Sequence, residues 1–386
     1  MARTQTYNTG NRIKIVYITH EFSRTGAPLS LLEVVKENSR FENYIVGPKG
    51  GTLHDDFLKI SAKLYALHSI AFLSDTAKRR YGFLLSFILR IFINLWIQIS
   101  IFFLLYRLRP NIVYCNSFSS RFAIIPSIFF DTRVIWHLHE YYHCSKLVQK
   151  CYAHFATLCS TTIIANSLYT QTWWKTKNSH LKSHVLYSSV EILSENCTTF
   201  EERTNDIFIV GTISAEKGFN TILQALQLLH AKSISLNVAI AGSFCNAEYK
   251  ELVKNYIENS GMKHRITFLN SITNVRDIML QSKILVHASL RESFGRVLIE
   301  AMACKTPVIA SKIGGIPEII KSGVTGVLFD VGNAEMLTDD VLKLLQNENL
   351  WNLISENGYQ FVRQNFNHDI FSSQLDKIIS YSLIKY

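Results

Sequence analysis

Short runs of consecutive apolar residues recur along the first half of the chain, most of them separated by segments long enough for a helix. They predict strands at Ile13–Thr19, Tyr44–Val46, Ile112–Cys115, Val134–Leu138, Thr162–Ala165 and Val185–Tyr187. Apolar runs without alternation are typical of strands buried on both faces of a parallel sheet. The pattern therefore predicts an α/β unit with helices covering both sides of that sheet.

The second half repeats this pattern. Its strands are predicted at Ile207–Val210, Leu236–Ala241, Ile266–Leu269, Ile284–Ala288, Pro307–Ala310 and Val327–Phe329. We expect a second Rossmann-like domain, joined to the first by the polar stretch Ser194–Asp206. The predicted domains are residues 1–200 and 201–366, followed by a C-terminal helix at 367–386 that would cross back to the first domain.

One long apolar segment, Gly82–Leu105, departs from the strand–helix alternation. Arg90, Asn94 and Gln98 interrupt it at four-residue spacing and would share one face of a helix. Polar groups on one stripe disfavour a membrane span, because each is costly in hydrocarbon. Three interpretations stay open: a helix whose exposed side lies in a membrane interface, an ordinary core helix, and a transmembrane helix.

Composition indicates a globular protein large enough for two domains. The 386 residues are 48% hydrophobic and 18% charged, with net charge +10. The excess lies in residues 1–200, which hold 22 Lys and Arg against 11 Asp and Glu. No nucleic-acid module accompanies this charge, so we expect no nucleic-acid partner and favour peripheral contact with an anionic membrane or a phosphorylated lipid acceptor. Seven cysteines without a CxxC pair, and a polar Met1–Asn11, favour a cytoplasmic protein, at the inner face of the membrane if it binds one.

Two acids, Glu292 and Glu300, bracket a glycine-containing segment. Apolar residues flank Glu300, and an unpaired carboxylate in such a setting costs several kcal/mol, so we expect it to line a polar cleft or meet a partner. If a helix begins near Ser293, its free first-turn amides favour an anion such as a diphosphate between the acids. Two plainer interpretations stay open: a capping box from Ser289 to Glu292, and an exposed helical Glu300.

Three blocks carry a family resemblance: His287–Ala310, Gly314-Gly-Ile-Pro-Glu318 and Gly323-Val-Thr-Gly326. In this order and spacing they resemble the family-4 retaining glycosyltransferases (group 1) of the GT-B fold. The resemblance is strongest from Ile207 to Phe329. It implies two Rossmann-like domains with parallel sheets facing across a cleft, and transfer of a sugar from a nucleotide-diphosphate donor with retention of anomeric configuration.

The resemblance also implies roles for residues of the second domain. Glu292 would face the transferred sugar as a catalytic group, and Glu300 would accept hydrogen bonds from the ribose. Lys217 would bring a cation to the diphosphate, although Thr212 stands where the family has Arg; without the resemblance, Lys217 is a solvated loop lysine. The remaining predicted donor-binding residues are Gly211, Ser293, Phe294, Gly295, Arg296, Val297 and Leu298, with the amides of Phe294–Leu298 meeting the phosphates.

From the first domain, the resemblance implies that Gly26 lies in the glycine loop and that His139, at the end of a strand, is a catalytic contact to the sugar. A lone histidine is otherwise more often structural. No D-x-D motif is present, so we expect no metal and no cofactor besides the nucleotide-sugar substrate. The predicted acceptor is a growing glycan, lipid-linked and destined for the cell surface. Two alternatives stay open: a nucleotide-sugar epimerase of the same fold, and a non-catalytic sugar-nucleotide-binding protein.

Overall fold

The structure, a computed structural model, describes residues 12–61, 63–67, 75–141, 145–192, 198–261, 265–269 and 274–383. Met1–Asn11 and the first part of the predicted linker lie outside the described residues. The chain divides into two compact units, Met1–Asn166 with Thr170–Leu186 and Ser372–Tyr386, and Ser167–Tyr169 with Tyr187–Phe371. The boundary between the two units lies between Leu186 and Tyr187, whereas the sequence predicts a domain boundary between residues 200 and 201.

The first unit contains a seven-stranded parallel sheet. Its strands are β1 (Lys14–Ile18), β2 (Glu42–Pro48), β3 (Lys63–Leu67), β4 (Ile112–Asn116), β5 (Arg133–Leu138), β6 (Thr162–Ala165) and β7 (Ser183–Val185). They lie in the order β3-β2-β1-β4-β5-β6-β7. The sequence pattern missed β3 because it is an edge strand whose side chains are only partly buried, and it placed β7 two residues too late.

Helices and two short 3₁₀ segments connect these strands. The helices are α1 (Gly26–Glu37), α2 (His54–Ile60), α3 (Asp75–Leu108), α4 (Lys146–Cys159) and α5 (Leu168–Lys175), and the 3₁₀ segments are Phe118–Ala123 and Ile125–Phe129. Helix α1 packs through buried Leu31, Val34 and Val35, at the spacing expected of one apolar face.

Helix α3 corresponds to the long apolar segment, and its last five turns have two different apolar faces. Ile97, Ile101 and Leu105 are buried in the core of the first unit. Phe92 and Trp96 belong to a second row of large side chains that are exposed. Arg90 lies outside the described side chains. Within the part of the chain that the structure describes, no helix has the length and apolar character to cross a membrane.

The second unit contains a six-stranded parallel sheet. Its strands are β8 (Asn205–Val210), β9 (Val238–Ala241), β10 (Ile266–Leu269), β11 (Ser282–His287), β12 (Val308–Ser311) and β13 (Val327–Phe329). Its helices are α6 (Phe219–Ala231), α7 (Ala247–Asn259), α8 (Val275–Leu280), α9 (Arg296–Ala303), α10 (Ile316–Ile319), α11 (Ala334–Leu345) and α12 (Glu348–Asn365). Two buried apolar clusters enclose this sheet, one around Ile207 and Val286 and the other around Phe208 and Leu298.

The last helix is α13 (His368–Leu383), and from Ser372 onward it belongs to the first unit. The Ser382 hydroxyl lies 3.0 Å from Oγ1 of Thr162 in β6. Asp376 pairs with Arg40 at 2.6 Å. These contacts explain why the helix is grouped with residues far away in the sequence.

The first six strands of the first sheet have the same order as the six strands of the second sheet. The second sheet runs β10-β9-β8-β11-β12-β13. In each sheet the first three strands are added toward one edge and the later strands toward the other, so the order of strands reverses between β1 and β4 and between β8 and β11. In open α/β sheets ligands bind beyond the carboxyl ends of the strands at this reversal. We call these two places the first and second switch points, and they indicate where each unit's site lies.

Candidate functional site

Two loops packed on each other form the second switch point. The first, Gly211–Gly218, leaves β8, and the second, Ala288–Gly295, leaves β11. The Leu290 amide donates to the Glu216 carbonyl at 2.9 Å. Gly218 has φ of 69°, and a Cβ there would lie 1.8 Å from the Ala288 carbonyl oxygen. Only glycine fits this left-handed, crowded position, so the fold itself requires Gly218 before α6.

Glu292 is at the centre of these loops. Its Oε2 accepts hydrogen bonds from Lys217 Nζ at 2.9 Å and from His287 Nε2 at 3.0 Å. The Glu292 side chain is 14% exposed and that of His287 is 10% exposed, whereas Lys217 is 39% exposed. The structure thus brings together predicted residues Glu292 and Lys217 and adds His287, for which the sequence suggested no role.

The environment of Glu292 determines its charge. Burial alone raises the pKa of this carboxyl, but the hydrogen bond from His287 and the positive charge of Lys217 outweigh burial and lower the pKa of Glu292 to about 2. Glu292 is therefore ionised at neutral pH. It can accept hydrogen bonds and stabilise positive charge, but it has no proton to donate.

A pair of glycines fixes the loop that carries Glu292. The Gly315 amide donates to the Glu292 carbonyl at 3.2 Å. Added Cβ atoms would lie 1.7 Å from that oxygen at Gly314 and 2.3 Å from the Ser293 carbonyl oxygen at Gly315. The Gly314-Gly315 motif thus allows two backbones to touch directly behind Glu292.

Helix α9 begins later than the sequence suggested. It starts at Arg296 with Gly295 as its N-cap, so the expected start near Ser293 is wrong. The capping box is wrong as well, because Glu292 lies in the preceding loop and bonds Lys217 and His287. The local reason is Phe294, which is buried in an aromatic cluster with Tyr187 and Phe366 and draws the chain away from helical geometry.

Glu300 meets a partner within its own helix. Its Oε1 accepts from Arg296 Nε at 2.7 Å, one turn earlier in α9. Both side chains keep partial exposure, 30% for Glu300 and 18% for Arg296. The pair places a carboxylate and a guanidinium beside the first turn of the helix, where amides without intrahelical partners favour an anion.

The other residues predicted to bind the donor differ in their surroundings. Phe294 and Leu298 point their side chains into the core, Val297 packs partly against it, and the Leu298 amide already donates to the Gly295 carbonyl at 2.9 Å. Gly211 and Thr212 are exposed just after β8. The carbonyl of Ser293 accepts from the Ser167 hydroxyl at 2.6 Å.

Glu318, the acid of the Gly-Gly-Ile-Pro-Glu block, has a structural task. Its carboxylate accepts from the amides of Leu168 at 2.8 Å and Tyr169 at 2.6 Å, at the start of α5. The Tyr187 hydroxyl donates to it at 2.8 Å. An acid at this position satisfies amides of the first helical turn, which have no partners inside the helix.

Polar side chains with fixed hydrogen bonds lie at the first switch point, beside the Glu140 carboxylate. Gly26 opens α1, Asn116 ends β4 and His139 directly follows β5. His139 Nε2 lies 2.9 Å from Asn116 Oδ1, and Asn116 Nδ2 donates to the carbonyl of Ala27, next to Gly26, at 3.0 Å. The two residues predicted from this unit, Gly26 and His139, are thus linked through Asn116.

Both histidines of the Trp136-His-Leu-His139 stretch are held neutral. Burial, supported by the nearby His20, lowers the pKa of His139 to about 3. Burial, with a contribution from His139, also lowers the pKa of His137 well below its usual value. The two rings are 4.0 Å apart between centroids, and His137 Nδ1 lies 2.8 Å from the Tyr114 hydroxyl.

Among the described residues, no three or more His, Cys, Asp or Glu side chains lie close enough together to hold a metal ion.

Two site residues, Asn116 and His287, were not predicted from the sequence motifs, although their positions in the sequence give a signal. Asn116 and His287 each end the strand on the far side of a switch point, β4 in one sheet and β11 in the other. A polar residue closing an apolar strand at this place is a candidate for a binding site. Finding either residue required the strand order, which separate strand predictions do not provide.

The family model of glycosyl transferases group 1 matches residues 194–361. This segment belongs to the glycosyl transferases group 1 family. The N-acetyl-alpha-D-glucosaminyl L-malate synthase of Bacillus anthracis is 36% identical over 122 residues, 32% of each chain. The capsular polysaccharide biosynthesis glycosyltransferase CapM of Staphylococcus aureus is 23% identical over 188 residues, 46% of this chain and 47% of its own. The matches thus cover about a third and about half of the lengths of these two relatives.

Among solved structures, Anabaena HepE in complex with UDP and glucose superposes with a TM-score of 0.78 at 20% identity, covering 96% of this chain and 100% of that one. This likeness confirms the predicted α/β class and GT-B fold. The matched group 1 segment contains the second switch point, including Lys217, Glu292 and Glu300.

Proposed function

We propose that this protein is a glycosyltransferase that moves a sugar from a nucleotide-diphosphate donor to a glycan acceptor. One observation carries the proposal: an ionised Glu292, held by Lys217 and His287, lies at the second switch point within the segment that matches group 1. The Arg296–Glu300 pair and the first turn of α9 stand beside it in the sequence and supply groups suited to a phosphate and a ribose.

The proposed chemistry is displacement with retention of configuration. Positive charge develops at the anomeric carbon as its bond to the diphosphate oxygen breaks, and the negative Glu292 stabilises it. The acceptor oxygen forms its bond on the same face, and its proton passes to the leaving phosphate. A double displacement with two adjacent carboxylates is less favoured, because Glu292 and Glu300 are each engaged by different cations.

In this mechanism Lys217 has a second partner besides Glu292. Its side chain is more exposed than the carboxylate it bonds, so it can contact a donor phosphate while staying near Glu292. Lys217, Arg296 and the α9 amides then supply the charge that a metal provides in other transferases, which is why we propose a metal-independent reaction.

A donor screen tests the proposal. Because the Anabaena protein is in complex with UDP and glucose, we propose a UDP-sugar and expect it to raise the melting temperature more than GDP- or ADP-sugars. Proton NMR of the product should show the donor's anomeric configuration retained, and added EDTA should leave the rate unchanged. Donor conversion without acceptor would indicate an epimerase, and binding without turnover over a broad acceptor panel a binding protein.

We propose a lipid-linked polysaccharide as acceptor and peripheral contact with an anionic membrane as the place of reaction. The name of the Staphylococcus aureus relative points to capsular polysaccharide. The exposed face of α3 presents Phe92, Trp96 and Phe103. Exposed Arg107 lies in its last turn, and exposed Arg109 directly follows the helix. Apolar side chains with adjacent cations suit an anionic lipid surface.

Vesicle sedimentation tests the membrane contact. The full chain should bind vesicles that contain phosphatidylglycerol more strongly than purely zwitterionic ones, and binding should weaken with salt. Replacing Phe92, Trp96 and Phe103 together with Ser should abolish binding. The control is Leu353→Ser, which removes an apolar side chain of α12 that is 55% exposed. Equal binding by both variants, or none by the wild type at low salt, would disprove membrane contact through α3.

A further inference from the structure

Asn116 lies fully buried between two polar groups of the first switch point. Its Nδ2 donates to the Ala27 carbonyl at 3.0 Å, and its Oδ1 lies 2.9 Å from His139 Nε2. Its backbone is fixed too, because the Ser120 hydroxyl donates to the Asn116 carbonyl at 2.7 Å. A buried side chain held at both ends has one orientation.

The chemistry of the two partners determines which way the amide faces. A backbone carbonyl only accepts hydrogen bonds, so the NH₂ group of Asn116 must face Ala27. The carbonyl oxygen of the side chain therefore faces His139, and this oxygen also only accepts. The hydrogen between them must belong to Nε2 of His139.

The ring of His139 has no other arrangement that keeps this bond. A rotation of the ring by half a turn would bring a carbon to Asn116 Oδ1 in place of Nε2. The backbone of His139 is also held, since Asn166 Nδ2 donates to its carbonyl at 3.2 Å and its amide donates to Glu140 at 3.3 Å. Burial and the nearby His20 keep the ring neutral, and a neutral imidazole carries one proton.

We propose that Asn116 is a positioning residue that fixes His139 as the Nε2–H tautomer and ties it to the start of α1, leaving Nδ1 as an acceptor for a substrate hydroxyl. The hydroxyl belongs to the sugar or to its acceptor, and this part of the inference rests on the proposed function. The tautomer itself rests only on the contacts of Asn116. The assignment makes His139 a hydrogen-bond acceptor toward substrate and excludes it as a proton donor at neutral pH.

Nitrogen NMR of the full chain tests the tautomer directly. In protein labelled with ¹⁵N-histidine, two-bond correlations distinguish Nε2–H from Nδ1–H rings. The chain has 13 histidines, so the signals of His139 are identified as those lost in His139→Gln. We expect the wild type to show an Nε2–H ring for His139 that does not titrate between pH 8 and 5.

Two substitutions at position 116 separate positioning from folding. Asn116→Leu removes the acceptor, so His139 should populate both tautomers and kcat/KM for transfer should fall roughly tenfold, the effect of one hydrogen bond. Asn116→Asp keeps an acceptor of the same shape, so the Nε2–H ring should persist while the added charge makes it titrate at higher pH. The matched control is Asn43→Leu, which removes a buried asparagine bonded to the Asn38 carbonyl. It should leave the His139 signals unchanged.

An Nδ1–H ring in the wild type would overturn the inference, as would an unchanged Nε2–H pattern in Asn116→Leu. If Asn116→Leu fails to fold, Asn116→Asp still decides, because loss of the Nε2–H signal in that variant contradicts the assignment. If the wild type transfers no sugar from any donor, the proposed function fails while the tautomer measurement stands on its own.

Discussion

The two switch points share one strand order but differ in the groups at their centres. At the second, Lys217 pairs with Glu292, His287 donates to Glu292, and Arg296 pairs with Glu300. At the first, Asn116 and the neutral ring of His139 share a hydrogen bond that fixes orientation, and the Glu140 carboxylate accepts from the neighbouring amides of Phe118 and His139. Topology thus determines where a site lies, and the side chains at the ends of the strands determine what it binds. Ions suit phosphate groups, whereas neutral donors and acceptors suit hydroxyl groups.

The glycines near the two switch points differ in the space around them. Gly218 and Gly314 have positive φ, and a Cβ at either would overlap a backbone oxygen. Gly26 would accommodate a Cβ with nothing within 4 Å. The fold therefore needs glycine at 218 and 314, whereas it leaves Gly26 free to be replaced. If Gly26 is required, the reason must be a ligand.

The largest effect should come from removing the charge at the second switch point. Glu292→Gln keeps the shape and a hydrogen-bond acceptor but loses the negative charge that would face the anomeric carbon. We expect kcat to fall roughly 100- to 1,000-fold with little change in donor affinity, because the lost interaction strengthens only as charge develops. Steady-state kinetics and donor titration measure the two quantities separately.

The control for this variant is Glu216→Gln. Glu216 lies in the neighbouring loop and forms an exposed ion pair with Arg291 at 3.5 Å, so its charge should matter little. Equal activity of both variants would show that Glu292 does not act on the reacting sugar.

Gly314→Ala should have the next largest effect, on stability. The new Cβ would lie 1.7 Å from the Glu292 carbonyl oxygen at a φ of 57°, so the loop must shift. We expect a loss of about 3 kcal/mol in the free energy of unfolding, measured by urea titration. Gly323→Ala is the matched control, because its φ of 77° is also positive but nothing lies within 4 Å, and it should cost about 1 kcal/mol. Equal losses would mean that crowding behind Glu292 is unimportant.

Local sequence patterns predicted what depends on neighbours in the chain. Central parallel strands are continuously apolar and were found, but edge strand β3 is only partly buried and was missed. The start of α9 was misplaced because Phe294 packs on Tyr187, more than 100 residues away. The Lys217–Glu292 contact spans 75 residues and exists because β8 and β11 are adjacent. Such contacts follow from strand order, which no single motif contains.

The neutral ring of His139 should affect the pH dependence of the free energy of unfolding. His139 has a folded pKa of about 3 against 6.5 in the unfolded chain, so below pH 6.5 the unfolded chain binds a proton that the folded protein does not. The free energy of unfolding should therefore fall as the pH drops from 6.5 toward 3, by up to about 1.4 kcal/mol per pH unit. His139→Gln should remove about 1 to 2 kcal/mol of the fall between pH 6.5 and 5.

Glu292→Gln should act in a different window. The folded pKa of Glu292, about 2, lies below its usual 4.5, so its contribution is complete above pH 4.5 and is lost as the pH falls toward 2. His180→Gln, which changes an exposed ring, should alter neither window. A His139→Gln profile identical to that of the wild type between pH 7 and 5 would show that the His139 ring is not held neutral.

The smallest effect on stability should come from Gly26→Ala. Gly26 is the first residue of α1, where alanine is a better helix former, and the added methyl meets no atom within 4 Å. Urea titration should therefore show a change of less than about 0.5 kcal/mol in the free energy of unfolding, in either direction. If the donor or acceptor approaches this loop, the same variant should lose transfer activity while staying fully folded. A stable and fully active Gly26→Ala protein would show that no ligand needs glycine at this position, and the predicted role of Gly26 in the site would be wrong.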